Sequence, residues 1–340
     1  MITFWRILLI VLLAAYGMSC ASAFLPTRVF LFSNIFSIAF PYLFVSSVFA
    51  TLLHFLFFRS KWYLIVLVFL LGGYNLSHLY ASGNKNFFLQ KNDRALRILT
   101  WNTASFSPPG AYISIVDTYV PDVICIQEYI PTREAESLLK EKGYLYNATA
   151  IDSSIIDGAQ HSMAFGVAIF SKHPVDSIQR TPFSKDDHIR QMLSANLSFN
   201  HKVVRVHTFH LLSYQISQSK EALADEHNLR YTIRRLVRVS ENQEKQIITY
   251  NKAISAGTLP NIVCGDFNNV PTSYIYNKAK KNKHDAFLEG ARGFGVTFPN
   301  FLRSLRIDYI LTDKRLKVTQ AKIIETSVSD HYPVVADIAL

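Results

Sequence analysis

The sequence predicts an α/β (or α+β) domain with helices covering its sheet, preceded by a membrane-spanning region. Three observations predict it. Residues 1–84 hold four basic residues and no Asp or Glu; the first acid is Asp93. From residue 95 onward, short apolar runs alternate with polar stretches of helical composition, as in strands interleaved with covering helices. Several of those apolar runs stop at Asn, Glu, His or Asp.

The front end contains three uncharged runs: Ile7 to Leu25 (19 residues), Val29 to Phe58 (30) and Trp62 to Ala81 (20). About 20 apolar residues cross a bilayer core, so residues 1–84 read as spans at 7–25, 29–58 and 62–81. The middle run is longer than needed and contains Pro41, which predicts a tilted or kinked helix. Eighty residues without an acid argue against a buried bundle in a soluble protein. The first run has a second reading: Arg6 before it and Ala21-Ser22-Ala23 near its end give it the form of a cleavable signal peptide. Arg59 and Lys61 crowd the link between the second and third runs. They predict that this link is cytoplasmic, which places everything after residue 84 on the extracytoplasmic side of a multi-pass protein.

Charge says less. The formal net charge is +10, but 31 of the 35 Lys and Arg follow residue 84, against all 25 acids. That surplus suits any anionic substrate or an anionic membrane surface as well as nucleic acid. Cys125 and Cys264 fall in apolar strands, where a free thiol behaves as a small hydrophobe, and no Cys/His spacing resembles a zinc site.

After a polar linker over 85–94, the elements follow in order. Leu96 to Asn102 reads as a strand ending in an amide, 103–110 as a loop, and Ile113 to Tyr119 as a short helix. Asp122 to Glu128 reads as a strand ending in Gln-Glu, and Glu134 to Lys142 as a helix stopping at Gly143. Residues 150–162 are predicted to be a mobile polar loop. Ala164 to Phe170 and Met192 to Phe199 are strands, joined through a charged connection, Ser184 to Arg190. Val203 to His210 is a strand; 213–258, free of proline and rich in charge, predicts one or two exposed helices. A polar segment over 271–290 precedes Arg306 to Leu311, and the chain closes through Ser329-Asp330-His331.

The stretch Asn261-Ile262-Val263-Cys264-Gly265-Asp266-Phe267-Asn268 is the sharpest signal. A short apolar strand stops at a glycine, and a carboxylate and an amide follow two residues apart. Extended backbone points i and i+2 side chains the same way, so Asp266 and Asn268 are expected to reach one point. Alone the string is weak, because Asp and Asn after Gly are common turn residues. Taken with Asn102, Glu128, His210, Asp308 and Asp330-His331, however, the solvated-turn explanation must be repeated six times for one class of side chain.

In this order, Trp101-Asn102, Gln127-Glu128, His210-Leu211, Gly265-Asp266-Phe267-Asn268, Arg306-Ile307-Asp308-Tyr309 and Ser329-Asp330-His331 resemble the endonuclease/exonuclease/phosphatase superfamily, the fold of deoxyribonuclease I. The resemblance covers about residues 95–340. It implies a four-layer sandwich, two packed β-sheets flanked by helices, with a site where strand ends converge. It further implies Mg²⁺ or Mn²⁺ held chiefly by Glu128 with Asn102 nearby, and Asp330 close to the metal or its waters. His331, oriented by Asp308, would handle a proton or the phosphate; Asp266 would align or deprotonate water; Asn268 and His210 would hold phosphate oxygens. How Asp266 and Glu128 divide base and ligand work stays open. Ala104 stands where some members carry an Asp, which argues against a scheme using that carboxylate.

The chemistry is sound on its own terms. A phosphodiester is anionic and repels hydroxide, so charge built up during attack needs a cation and fixed donors. The implied activity is therefore metal-dependent phosphodiester (or phosphomonoester) hydrolysis at a membrane, on nucleic acid or, alternatively, on a phospholipid headgroup as in sphingomyelinase-like relatives. A catalytically silent binding module is the remaining reading. Arg230, Arg234, Arg235 and Arg238 could track a nucleic-acid backbone, but with Glu241 and Glu244 following they read as a solvated helix face. Arg190 likewise reads as a solvated loop residue, and Asp285, Thr297 and Arg306 as rim or structural residues.

Overall fold

The computed structural model describes residues 2–59, 61–84, 86–151, 166–184, 187–214, 226–300 and 303–340. The chain divides into two compact units. One comprises Met1–Leu79, Tyr214–Glu244 and Asn269–Lys278; the other comprises Tyr80–Ser213, Lys245–Asn268 and Ala279–Leu340.

The first unit is built on α1 (Ile2–Ala21), α2 (Ser33–Phe58) and α3 (Tyr63–Leu79). Two of these, α1 and α2, are long and apolar enough to cross a membrane; α3, at 17 residues, is shorter. Pro41 lies inside α2. The buried face of α2 carries Ser33, Ser37, Phe40, Ser47, Thr51 and His54, mostly small residues that let helix backbones approach. Large apolar side chains such as Phe49, Phe57 and Leu70 point outward. Tyr16 donates to the Val68 carbonyl at 2.6 Å, and Trp5 Nε1 donates to His54 Nδ1 at 3.2 Å.

The second unit holds two six-stranded sheets. In the first, the order is β15 (Lys317–Ile323), β16 (Val334–Ala339), β2 (Ala95–Ser105), β3 (Val123–Tyr129), β5 (Gly166–Ser171), β4 (Tyr146–Ala150). In the second it is β10 (Lys283–Asp285), β14 (Asp308–Asp313), β9 (Asn261–Asp266), β8 (Lys202–His210), β7 (Asp187–Phe199), β6 (Val175–Ser184). Two short ladders pair β1 (Tyr80–Ser82) with β11 (Arg292–Phe294), and β12 (Phe298–Asn300) with β13 (Arg303–Leu305). Each large sheet has one parallel pair near its centre, β2 with β3 and β8 with β9; the remaining pairs are antiparallel.

Both faces of the central strands are buried, which explains their unbroken apolar runs. Leu96, Ile98 and Cys125 pack with Leu193, Val206, Ile262, Cys264 and Ile310 of the other sheet. Their odd-even neighbours Leu99, Trp101, Ile124 and Ile126 pack with Tyr112 and Val116 of α4 (Pro109–Tyr119) and Leu139 of α5 (Arg133–Glu141). The two packed sheets flanked by helices agree with the expected architecture.

Several local expectations are corrected. Residues 103–110 are not one loop: β2 continues to Ser105 and α4 begins at Pro109. The charged connection Ser184 to Arg190 is not a free link among the described residues: Ser184 pairs with Asp187, and Arg190 lies inside β7. The predicted exposed helices become α6 (Glu226–Ser255), which buries Val239, Ile247, Tyr250 and Ile254. The polar segment 271–290 forms α7 (Tyr274–Lys280), β10 and α8 (Ala286–Gly290), with Tyr276, Ala279 and Ala286 fully buried. Most of the predicted loop 150–162 lies outside the described residues.

Candidate active site

Strand register brings the polar ends together. In the second sheet, Asp266 ends β9 and pairs directly with His210, the last residue of β8, and with Asp308, the first of β14. Three chemically active side chains thus share one rung across three adjacent strands. Gly265 permits this approach: a methyl group there would lie 2.3 Å from the Phe209 carbonyl oxygen. In the first sheet Asn102 pairs with Gln127, and the ladder shifts register between Gln127 and Tyr129. Glu128 sits in that irregularity at φ 54, an uncommon conformation for a residue with a side chain.

Asn102 joins the two sheets. Its Nδ2 lies 3.1 Å from Glu128 Oε1 and 3.1 Å from Asp266 Oδ2. His210 Nε2 is 3.4 Å from Asp266 Oδ2 and 3.9 Å from Glu128 Oε1. His331 Nδ1 meets Asp308 Oδ2 at 2.9 Å, and its Nε2 faces Asp266 Oδ2 at 3.9 Å. Trp101 Nε1 donates to the His331 carbonyl, and Ser329 Oγ to the Asn102 carbonyl. Thr297 Oγ1 accepts from the backbone N–H groups of Ile307 and Asp308, and so fixes where Asp308 begins its strand.

Asn268 takes a different position from the one strand geometry suggests. The strand ends at Asp266, and Asn268 lies beyond it at φ 50. Its backbone N–H donates to Asp266 Oδ1 at 2.8 Å, while its Nδ2 donates to the Leu211 carbonyl at 3.0 Å. Asp330 is exposed and receives Ser329 Oγ at 3.3 Å; its charge acts on Glu128 and His331. Arg306 forms a buried ion pair with Asp285 at 2.6 Å, a structural link. Arg190, read from sequence as a loop residue, is half-buried in β7 and its charge acts on His210. Only the β6–β7 register, invisible in a charged segment, places it there.

The electrostatics separate the groups. Burial and the facing Asp308 carboxylate push Asp266 up to about 6. Burial alone would pull His331 down, but Asp308 and Asp266 outweigh it and hold the imidazolium up to about 10. Burial lowers His210 against the pull of Asp266, and burial raises Glu128 against its hydrogen bond from Asn102. The site therefore combines a buried acid poised near neutrality, a cationic histidine and a neutral one.

These residues fit a divalent cation. Among the described residues, Asp266, Asp308 and His331 present ligand atoms within 4.8 Å of one another. His331 is a poor ligand, because Nδ1 is engaged by Asp308 and the ring is held protonated. The hard oxygens of Glu128 and Asn102 suit Mg²⁺ or Mn²⁺ better. Burial that raises a carboxylate is relieved by a bound cation, and Asp308 Oδ1 is buried with no hydrogen-bond partner among the described residues.

Residues 99–331 match the model of the Endonuclease/Exonuclease/phosphatase family. The chain belongs to this family. Members of the Endonuclease/Exonuclease/phosphatase family are hydrolases acting on phosphoester bonds and are generally dependent on a divalent metal. An endonuclease/exonuclease/phosphatase from Beutenbergia cavernae superposes with a TM-score of 0.54 at 21% identity, covering 73% of this chain and 72% of that one. The human Nocturnin catalytic domain with bound sulfate anion gives 0.52 at 18%, covering 72% and 93%. TDP2 from D. rerio, complexed with single strand DNA product, gives 0.51 at 18%, covering 72% and 99%. No curated protein matches.

Proposed function

We propose that this chain is a membrane-anchored, Mg²⁺- or Mn²⁺-dependent phosphodiesterase. The observation that carries it is the shared Asn102 nitrogen, which ties Glu128 to Asp266 across the two sheets. Glu128, with Asn102 and Asp330, would hold the cation, which when bound would neutralise charge on the phosphoryl group. Asp266, raised to about 6, is matched to orienting and deprotonating water near neutral pH. His331, cationic and oriented by Asp308, presents Nε2 as a donor to a phosphate oxygen or a leaving group. His210 and Arg190 add polar and positive groups on the same side. Asn268 holds Asp266 in place through its backbone N–H.

The membrane reading is supported by the front end. The Trp5–His54 bond sets the start of α1 beside the end of α2, so Arg6, Arg59 and Lys61 gather at one end of the helices. That clustering favours a cytoplasmic location for this end and an extracytoplasmic catalytic unit. The TDP2 relative, with its DNA product, supports a nucleic-acid substrate. The apolar helices favour the alternative, a phospholipid headgroup, because anchoring keeps the chain at a membrane rich in such headgroups. The purified full chain, given Mg²⁺ with plasmid DNA and separately with mixed lipid vesicles, separates them: cleavage of vesicle lipid alone removes the nuclease reading. Failure on both, and on a generic diester, removes the enzyme.

A further inference from the structure

One surface has chemistry that hydrolysis does not use. Within the first unit, the N-terminal part of α6 lies beside the link between α1 and α2. Glu244 accepts from the Thr27 N–H, and Asn34 Nδ2 donates to Ser240 Oγ at 2.5 Å. Thr27 and Asn34 sit just past the end of one apolar helix and at the start of the next, the level of lipid headgroups if these helices span. Between link and helix runs an open groove of about 410 Å³, lined by Leu31, Ile233, Arg234, Val237, Arg238 and Glu241.

The lining has two chemistries in register. Leu31, Ile233 and Val237 make an apolar floor, with the last two one helical turn apart. Arg234 and Arg238, also one turn apart, are both exposed, and neither has an ion-pair partner among the described residues. Glu244 is occupied by Thr27, so Glu241 is the acid facing the groove, which keeps a surplus of one positive charge. Paired guanidinium groups grip a phosphate, and an apolar floor beside them suits an acyl chain. A nucleic-acid backbone would want a longer basic track and would leave the floor unused.

We propose that this groove binds one anionic phospholipid from the surrounding bilayer, its phosphate between Arg234 and Arg238 and its acyl chain over Leu31, Ile233 and Val237. The inference rests on the membrane-spanning reading above. Native mass spectrometry of the detergent-purified full chain, titrated with phosphatidylglycerol or phosphatidylcholine, tests it. The expected result is about tenfold greater retention of phosphatidylglycerol, abolished by Arg234→Glu with Arg238→Glu. Equal retention of the two lipids, or a preference unchanged in the double variant, overturns it. Should the double variant misfold, Glu241→Gln decides: it is expected to raise phosphatidylglycerol retention two- to threefold, and no rise overturns the proposal. Alkaline carbonate extraction separates the two failures. Release of the chain from membranes sinks the spanning reading itself, whereas an integral chain without lipid preference sinks only the groove.

Discussion

Asn102 Nδ2 and Asp266 Oδ2 lie 3.1 Å apart, joining the end of a strand in one sheet to the end of a strand in the other. The same nitrogen reaches Glu128. Asn102→Ala is therefore expected to lower turnover of bis(p-nitrophenyl) phosphate by about 10²–10³, the usual loss for one preorganised donor. Steady-state kinetics with far-ultraviolet circular dichroism checks it; a loss below threefold would show that the bridge is not used.

Asp308 and His331 act as a unit through the 2.9 Å contact. Asp308→Asn and His331→Gln should each reduce turnover by about 10²–10⁴, and the double variant should be little worse than either single one. Multiplying losses would mean that the two act independently.

Metal removal gives a third expectation. Excess chelator should abolish activity, and Mg²⁺ or Mn²⁺ should restore it; Glu128→Gln should shift the restoring concentration upward by at least about tenfold. Restoration of Glu128→Gln at the wild-type concentration would move the cation elsewhere.

Gly265→Ala places a methyl group 2.3 Å from the Phe209 carbonyl oxygen, a backbone atom that cannot swing away. The expected cost is about 1–3 kcal/mol or more, with activity lost as Asp266 is displaced. Chemical denaturation of wild type and variant measures it.

His207 gives one separable contribution to the pH dependence of stability. It is buried between Ser194 Oγ at 2.7 Å and Asn261 Oδ1 at 2.8 Å, and burial lowers it to about 4 from an ordinary 6.5. Below pH 6.5 the unfolded chain takes up a proton that the folded one refuses, so the contribution of this residue falls as pH drops from 6.5 towards 4. The raised Asp266 carboxyl, protonated first in the folded chain, contributes in the opposite direction. The loss from this residue is about 3 kcal/mol over that window. His207→Gln should make thermal unfolding less sensitive to acid than in the wild type across that window, with the opposing Asp266 contribution left in place; an identical slope would contradict the assignment.

Much of the site is legible in the sequence because strand ends announce themselves. Apolar runs stopping at Asn102, Glu128, His210 and Asp266 give both the element and a polar side chain at or near its end. What escapes depends on partners far along the chain. The edge strand Val175–Ser184 has little apolar alternation and contains Pro182, which an edge tolerates, so neither it nor Arg190 opposite could be placed. The left-handed backbone of Glu128, which sits in a strand irregularity, and of Asn268, just past a strand end, is equally silent. That is why an extended reading of Asp266 and Asn268 aims both at one point, whereas Asn268 turns back to Leu211.

The most direct test is the turnover of bis(p-nitrophenyl) phosphate by the purified full chain with Mg²⁺, compared with its Asp266→Asn variant. The arrangement around Asp266 requires hydrolysis by the wild type and a loss of at least about 10³ in a folded variant. Undiminished turnover in folded Asp266→Asn would contradict it.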